Sequence, residues 1–216
     1  MIDLAHFWLF FTVALLLALT PGPGIFYVAA RTLAGGLTEG IASSLGTGLG
    51  GMVHVIAGAL GVSAIVLASA ELFTALKLIG AVYLVWLGVR TIQSARREVF
   101  SSLSGGAAAR PTGPHRAFRE GVVVEAMNPK TAAFFLAFIP QFVDPSQGHV
   151  AARFAILGFI SVALNTGADV AVAYGAGCIR SGAAGRPNLV RRLREVSGGV
   201  MIALGIGLML GTRPGT

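Results

Sequence analysis

The sequence has few charged residues and almost no cysteine. Charged residues make up 12% of the chain, about half of the roughly 25% that is typical of soluble domains. Cys178 is the only cysteine, which excludes an internal disulfide framework, a CxxC redox pair and a thiolate metal cluster. The sequence also lacks a His-Glu-x-x-His motif and a serine nucleophile motif with a base. We therefore expect no metal centre, no cofactor and no enzymatic activity.

Hydrophobic residues, by contrast, are abundant. They make up 55% of the 216 residues, and the mean hydropathy is +0.78. Crossing the roughly 30 Å of hydrocarbon in a bilayer takes about 20 apolar residues as a helix. The stretches that approach this length are residues 7–29, 41–68, 73–92, 121–143, 154–178 and 197–210. We therefore predict an all-α polytopic membrane protein with six transmembrane helices.

The positive charges predict an orientation in the membrane. Of the 16 Lys and Arg residues, eleven lie in the first, third and fifth connections between the predicted spans, and a twelfth, Arg90, lies at the edge of the third connection. Positively charged connections stay in the cytoplasm, so we expect both termini to face outward. The net charge of +7 has the same explanation and does not indicate nucleic-acid binding. The N-terminal segment lacks the leading positive charges of a signal peptide, so we expect it to remain as the first helix.

The chain divides into two halves of similar design. Residues 95–117 are rich in Ser, Gly, Ala and Arg and predict a flexible cytoplasmic linker. The linker separates a first three-helix repeat, residues 1–94, from a second, residues 118–216. Each half has an odd number of spans, so the halves enter the membrane from opposite sides as an inverted repeat. Pro21 and Pro129, which are 108 residues apart, fit this repeat.

Two helix-breaking motifs lie inside apolar stretches. Thr20-Pro-Gly-Pro-Gly24 interrupts the first predicted span, and Asn128-Pro-Lys130 interrupts the fourth. Lipid cannot satisfy the backbone groups that a broken helix exposes, so such breaks occur where protein packs or where they line a cavity. Interrupted segments at corresponding places in two halves point to a transporter's binding site. The predicted substrate-binding residues are Pro21, Gly22, Pro23, Gly24, Asn128, Pro129, Lys130 and Asn165.

Besides Lys77 and Arg90, which lie near the two ends of the third span, four ionisable residues fall within the predicted spans, where a charge is costly and indicates a partner or a function. Lys130 is expected to bind a substrate carboxylate or to neutralise an acid; alternatively its long side chain snorkels toward an interface. The candidate proton carriers are Asp169, Glu125 and His54. The alternatives are a structural ion pair for Asp169 and a hydrogen bond between helices for His54. Glu39, near the cytoplasmic end of the second span, is expected to be solvated.

Small residues four positions apart predict close contacts between helices. The two pairs are Gly46 with Gly50 and Gly207 with Gly211. Such pairs allow helix backbones to approach closely. The sequence leaves open whether they do so within one protomer or across a homodimer.

The order and spacing of the motifs resemble those of the LysE/RhtB family of amino-acid exporters. The matching stretches are 20–24, 27–31, 40–46, 78–84, 118–121, 128–135 and 140–143, together with His54 and the late Ser197-Gly198. The resemblance implies a carrier of the bacterial inner membrane that is driven by the proton-motive force and exports amino acids or related metabolites. Gly24 and Glu125 are less typical of the family, so the resemblance does not name the substrate.

The expected function is that of a secondary transporter in the lipid bilayer. It exports an amino acid, or a close derivative, from the cytoplasm by proton antiport with alternating access. Two alternatives stay open at this point: an exporter of an inorganic cation or another small metabolite, and a non-transporting accessory membrane protein. An accessory protein has no need of charged residues such as Lys130 and Asp169 inside its spans.

Overall fold

Most of the part of the chain that the structure describes is helical. The structure is a computed structural model and describes residues 4–62, 64, 70–102, 111–180 and 187–210. Within these residues it contains eight α-helices and no strand. They are α1 (Leu4–Leu19), α2 (Pro23–Gly35), α3 (Leu37–Ala57), α4 (Ala70–Ser102), α5 (Pro114–Ala126), α6 (Pro129–Ala133), α7 (Val150–Arg180) and α8 (Pro187–Leu210). The prediction of an all-α polytopic membrane protein is confirmed.

Several helices have the length and hydropathy of membrane spans. Among the described residues, Leu37–Gly61 and Val150–Cys178 qualify as single helices. Two bent pairs also qualify when each is counted as one span: α1 with α2, and α5 with the segment Pro129–Phe142. Helices α4 and α8 contain 33 and 24 residues and include the third and sixth predicted spans. Their crossing of the membrane stays a prediction.

Both predicted breaks are present. The bend between α1 and α2 is 44°, and the bend between α5 and the segment after it is 41°. Pro23 begins α2 and Pro129 begins α6, a position at which the missing N–H of proline has no helical partner to lose. At the second break, the side chain of Asn128 caps α6 by accepting the Lys130 N–H at 3.0 Å. The prolines and the cap therefore explain why each helix stops and restarts.

Some helix ends differ from the predicted boundaries. Helix α4 continues to Ser102 and α5 begins at Pro114, so both ends of the predicted linker at 95–117 are helical. Helix α8 begins at Pro187, ten residues before the predicted sixth span. In both cases the helix extends into polar sequence beyond its apolar stretch, because hydropathy marks the membrane-spanning part and not the end of a helix. The division into two repeats stays a prediction.

Helices α3 and α5 pack with their backbones in contact. A Cβ atom on Gly46 would overlap the carbonyl oxygen of Phe118, and one on Gly50 would overlap that of Val122. From the opposite side, a Cβ atom on Gly121 would lie 2.7 Å from the carbonyl oxygen of Ser43. The first small-residue pair is therefore used within one protomer. Gly211 lies outside the described residues, and a homodimer stays a prediction.

We expect Gly46→Ala to destabilise the protein, because the added methyl group forces α3 away from α5. Overpacking a tight interface destabilises by roughly 1–3 kcal/mol. Gly167→Ala in α7 is the matched control, because no described atom lies within 4 Å of the added Cβ atom. The thermal unfolding midpoint of detergent-solubilised protein measures the effect. Equal midpoints for the two variants would contradict the packing.

Candidate functional site

The two broken helices meet through Lys130. The side chain of Lys130 is buried, and its ammonium donates to the carbonyl oxygens of Leu17 at 3.2 Å and Thr20 at 2.9 Å. Leu17 lies in the last turn of α1 and Thr20 directly follows the helix, where carbonyl oxygens lose their intrahelical donors. The Leu17 carbonyl also accepts the backbone N–H of Thr20 at 3.1 Å. The negative end of the helix dipole also favours a cation there. Lys130 therefore caps the first broken helix from the second, and its ammonium does not snorkel toward an interface.

Glu125 connects the two sides of the second break. It lies in the last turn of α5 and is buried. One carboxylate oxygen accepts from the side-chain amide of Asn128 at 2.8 Å, and the other from the hydroxyl of Thr131 at 2.6 Å. Hydrogen bonds to a carboxylate are among the stronger ones in proteins. They hold the end of α5 against the start of α6.

The glycines of the first motif make room for the charged side chains of the second. A Cβ atom on Gly22 would lie 3.2 Å from the ammonium nitrogen of Lys130, and one on Gly24 would lie 2.8 Å from a carboxylate oxygen of Glu125. Glycine, which has no Cβ atom, lets the backbone approach another group closely. In the structure the close approach is to Lys130 and Glu125.

We expect Gly24→Ala to reduce transport while leaving the fold intact. The added methyl group would lie 2.8 Å from a carboxylate oxygen of Glu125 and displace that carboxylate from its hydrogen bonds to Asn128 and Thr131. Gly175→Ala in α7 is the matched control, because no described atom lies within 4 Å of its Cβ atom. Substrate flux per folded molecule measures the effect, and a wild-type flux for Gly24→Ala would show that Glu125 does not need this position.

Asp169 is a fully buried carboxylate with one unused oxygen. Its Oδ2 accepts from the hydroxyl of Thr47 on α3 at 2.7 Å. Among the described residues, no donor reaches Oδ1. A buried polar atom without a partner is unfavourable and calls for an explanation, and a proton on the carboxyl group would remove the buried charge. Asp169 is therefore a buried acid with hydrogen-bonding capacity left unused among the described residues.

His54 and Asn165 border the same centre. The Nε2 atom of His54 lies 3.0 Å from the carbonyl oxygen of Glu125, at the end of α5, and its ring centroid is 5.7 Å from that of Phe135. His54 thus makes the hydrogen bond between helices that was the alternative to a proton relay. Asn165 lies one helical turn before Asp169 on α7. Together with Lys130 at the end of α1, His54 at the end of α5 means that a basic side chain from another helix contacts carbonyl oxygens at both breaks.

A small cavity lies at this meeting point. Its volume is about 30 Å³, which is room for one or two water molecules. Its polar wall contains Glu125, Lys130, Thr131, Ser161 and Asn165, and its apolar wall includes Ala14, Leu17, Phe134 and Phe135. An amino acid enters this space only if the surrounding helices move apart.

The structure brings most of the predicted site residues together, with one correction and two additions. Gly22, Gly24, Asn128 and Asn165 surround Lys130 and Glu125, whereas Pro21, Pro23 and Pro129 act by breaking the helices.

The expectation that Glu39 is solvated is wrong, because its side chain is 3% exposed. Sequence reasoning missed Thr47 and Thr131. Their signal was weak, since threonine is common in membrane helices, although Thr131 directly follows the Asn-Pro-Lys motif.

An all-α membrane protein whose two broken helices enclose a buried polar centre has the architecture of a membrane carrier. The family model described as LysE type translocator matches residues 15–212. The chain belongs to this family.

Its curated relatives include proteins with and without a described activity. An uncharacterized membrane protein of Vibrio cholerae is 30% identical over 96% of this chain and 97% of its own. An uncharacterized membrane protein of Pseudomonas aeruginosa is 32% identical over 74% of each chain. A leucine efflux protein of Enterobacter sp. is 29% identical over 70% of each chain. No solved structure matches the chain at a significant level.

Proposed function

We propose that the protein is a secondary transporter that exports an amino acid from the cytoplasm by proton antiport with alternating access. The observation that carries this proposal is the buried polar centre where the two broken helices meet, with Lys130 on the carbonyls of α1 and an unpartnered oxygen on Asp169. Membership of a translocator family and relatives named leucine efflux proteins support it. The protein is not an enzyme under this proposal.

The groups at the centre suit a zwitterion with an apolar side chain. As the helices move apart, the ammonium of Lys130 binds the substrate carboxylate, and the carbonyls of Leu17 and Thr20 that it leaves accept from the substrate ammonium. Hydrogen bonds between charged groups are strong in a water-poor site. The apolar wall, which includes Phe134 and Phe135, takes the side chain. Leucine and similar amino acids are therefore the first substrates to test.

Proton coupling is assigned to Asp169. When protonated it is neutral and stable in its buried position; when ionised it favours a state in which water or the substrate ammonium reaches Oδ1. A proton and a substrate that stabilise opposite states drive each other across the membrane in opposite directions. Glu125 and His54 hold the geometry around this exchange through their hydrogen bonds.

The proposal includes an orientation in the bacterial inner membrane. Both termini face the periplasm, the segment between α4 and α5 faces the cytoplasm, and the two three-helix repeats rock against each other. The positive charges between the predicted spans support this orientation.

The experiment that tests the proposal is efflux from cells preloaded with a panel of amino acids and dipeptides. We expect cells that produce the protein to export at least one apolar amino acid faster than cells without it, and a protonophore to abolish the difference. If every compound leaves at the same rate with and without correctly inserted protein, the amino-acid export proposal is wrong.

A further inference from the structure

Glu39 fastens the segment before α5 to the start of α3. Its carboxylate oxygen Oε1 accepts the backbone N–H of Thr112 at 2.9 Å and that of Gly113 at 2.7 Å. The side chain is 3% exposed, and among the described residues no donor reaches its second oxygen. A Cβ atom on Gly35 would overlap this carboxylate, so only glycine at position 35 leaves the space that Glu39 occupies.

Two side chains of α2 contact this segment and the first turn of α5. Arg31 donates to the hydroxyl of Thr112 at 2.8 Å, and the hydroxyl of Tyr27 donates to the carbonyl oxygen of Ala117 at 2.9 Å. Gly113 has a φ of 84°, a conformation that favours glycine, and its N–H points to Glu39 just ahead of α5. The negative charge of Glu39 therefore faces the positive end of the α5 dipole.

From Glu39 toward the candidate site, α3 and α5 stay in close contact; we call this contact between the two helices the seam. Beyond Glu39, α3 and α5 touch backbone to backbone at Gly46 and Phe118, and then at Gly50 and Val122. The seam ends beside Glu125, which lines the cavity. Between Glu39 and the cavity, α3 and α5 are therefore packed with their backbones in contact.

We infer that Glu39, with the N–H groups of Thr112 and Gly113, is a latch that closes the cytoplasmic side of the site and must open for substrate to enter. This inference rests on the proposed function, which places that side in the cytoplasm. Opening the latch brings the carboxylate into water, which replaces its two hydrogen bonds. The latch is therefore reversible, and it stabilises the state in which the cytoplasmic entrance is closed.

The test measures how fast a cysteine buried in the seam reacts with a water-soluble maleimide. Cys178→Ser removes the native thiol, and Ser43→Cys places one on α3 where the side chain is fully buried. In inside-out membrane vesicles, we expect Glu39→Ala to raise the labelling rate about tenfold or more, because a charge-assisted contact is lost. Glu39→Gln should give a smaller increase. The control is Glu71→Ala, which removes an exposed carboxylate at the start of α4 and should change nothing.

Equal labelling rates for Glu39→Ala, Glu39→Gln and Glu71→Ala would overturn the latch. If Glu39→Ala does not fold, as judged by size-exclusion chromatography, Glu39→Gln decides the outcome. A rate that rises only in right-side-out vesicles would contradict the cytoplasmic position of the latch. Labelling needs no substrate, so a failure of the latch can be told apart from a failure to find an exported amino acid.

Discussion

Lys130→Ala is expected to abolish export and to destabilise the protein. The substitution removes the only side chain shown to donate to the carbonyl oxygens of Leu17 and Thr20 among the described residues. The carbonyl of Leu17 keeps the backbone N–H of Thr20, but that of Thr20 is left without a donor shown among the described residues. A buried polar group left without a partner destabilises a protein by about 1–3 kcal/mol. Lys130→Ala also removes the side chain that we propose binds the substrate carboxylate. Efflux per folded molecule should fall at least tenfold, and the thermal unfolding midpoint should fall as well.

Two companion variants separate charge from geometry. Lys130→Arg keeps the charge but places a wider, planar group between Gly22 and the end of α1, so we expect it to insert into the membrane and to transport poorly. Lys77→Ala removes a lysine of α4 that does not line the cavity and should transport like the wild type. Wild-type efflux from Lys130→Ala would contradict its role at the centre of the site.

Asp169→Asn is expected to uncouple transport from protons while preserving the fold. Asparagine has nearly the same shape and still accepts from Thr47 with its carbonyl oxygen, but it does not take up a proton in exchange for a buried charge. We expect concentrative export driven by a pH gradient to be lost, with exchange of substrate across the membrane retained. Counterflow of labelled substrate in proteoliposomes, with and without an imposed pH gradient, measures the two activities separately.

The control for Asp169→Asn is Asp144→Asn, which changes an exposed carboxylate in the turn before α7. It should retain both activities. If Asp169→Asn still concentrates substrate in response to a pH gradient, the coupling proton is carried elsewhere, and Glu125 becomes the next residue to test.

Local chemistry made the breaks predictable. Proline and glycine interrupt a helix through their own backbone properties, so Pro21, Pro23 and Pro129 indicated where the helices stop without any knowledge of the fold. The same holds for the all-α class, because a continuous apolar stretch of about 20 residues has the length that crosses the hydrocarbon as a helix.

The partners of the charged residues were not predictable in this way. Lys130 binds carbonyls 110 and 113 positions away in sequence, and no local pattern indicates which helix end a lysine will cap. Glu39 was expected to be in water because it lies near a predicted boundary, yet the folded segment at Thr112 and Gly113 buries it. Both contacts depend on how parts of the chain that are far apart in sequence pack together, which hydropathy does not encode.

The most direct test of proton-coupled export is proton flux in proteoliposomes that contain purified protein and a trapped pH-sensitive dye. We predict that an outward gradient of leucine, or of the amino acid that the efflux panel identifies, drives protons inward, and that Asp169→Asn abolishes this proton movement while Asp144→Asn does not. Substrate that crosses the membrane with no proton movement in the wild-type protein would contradict the account.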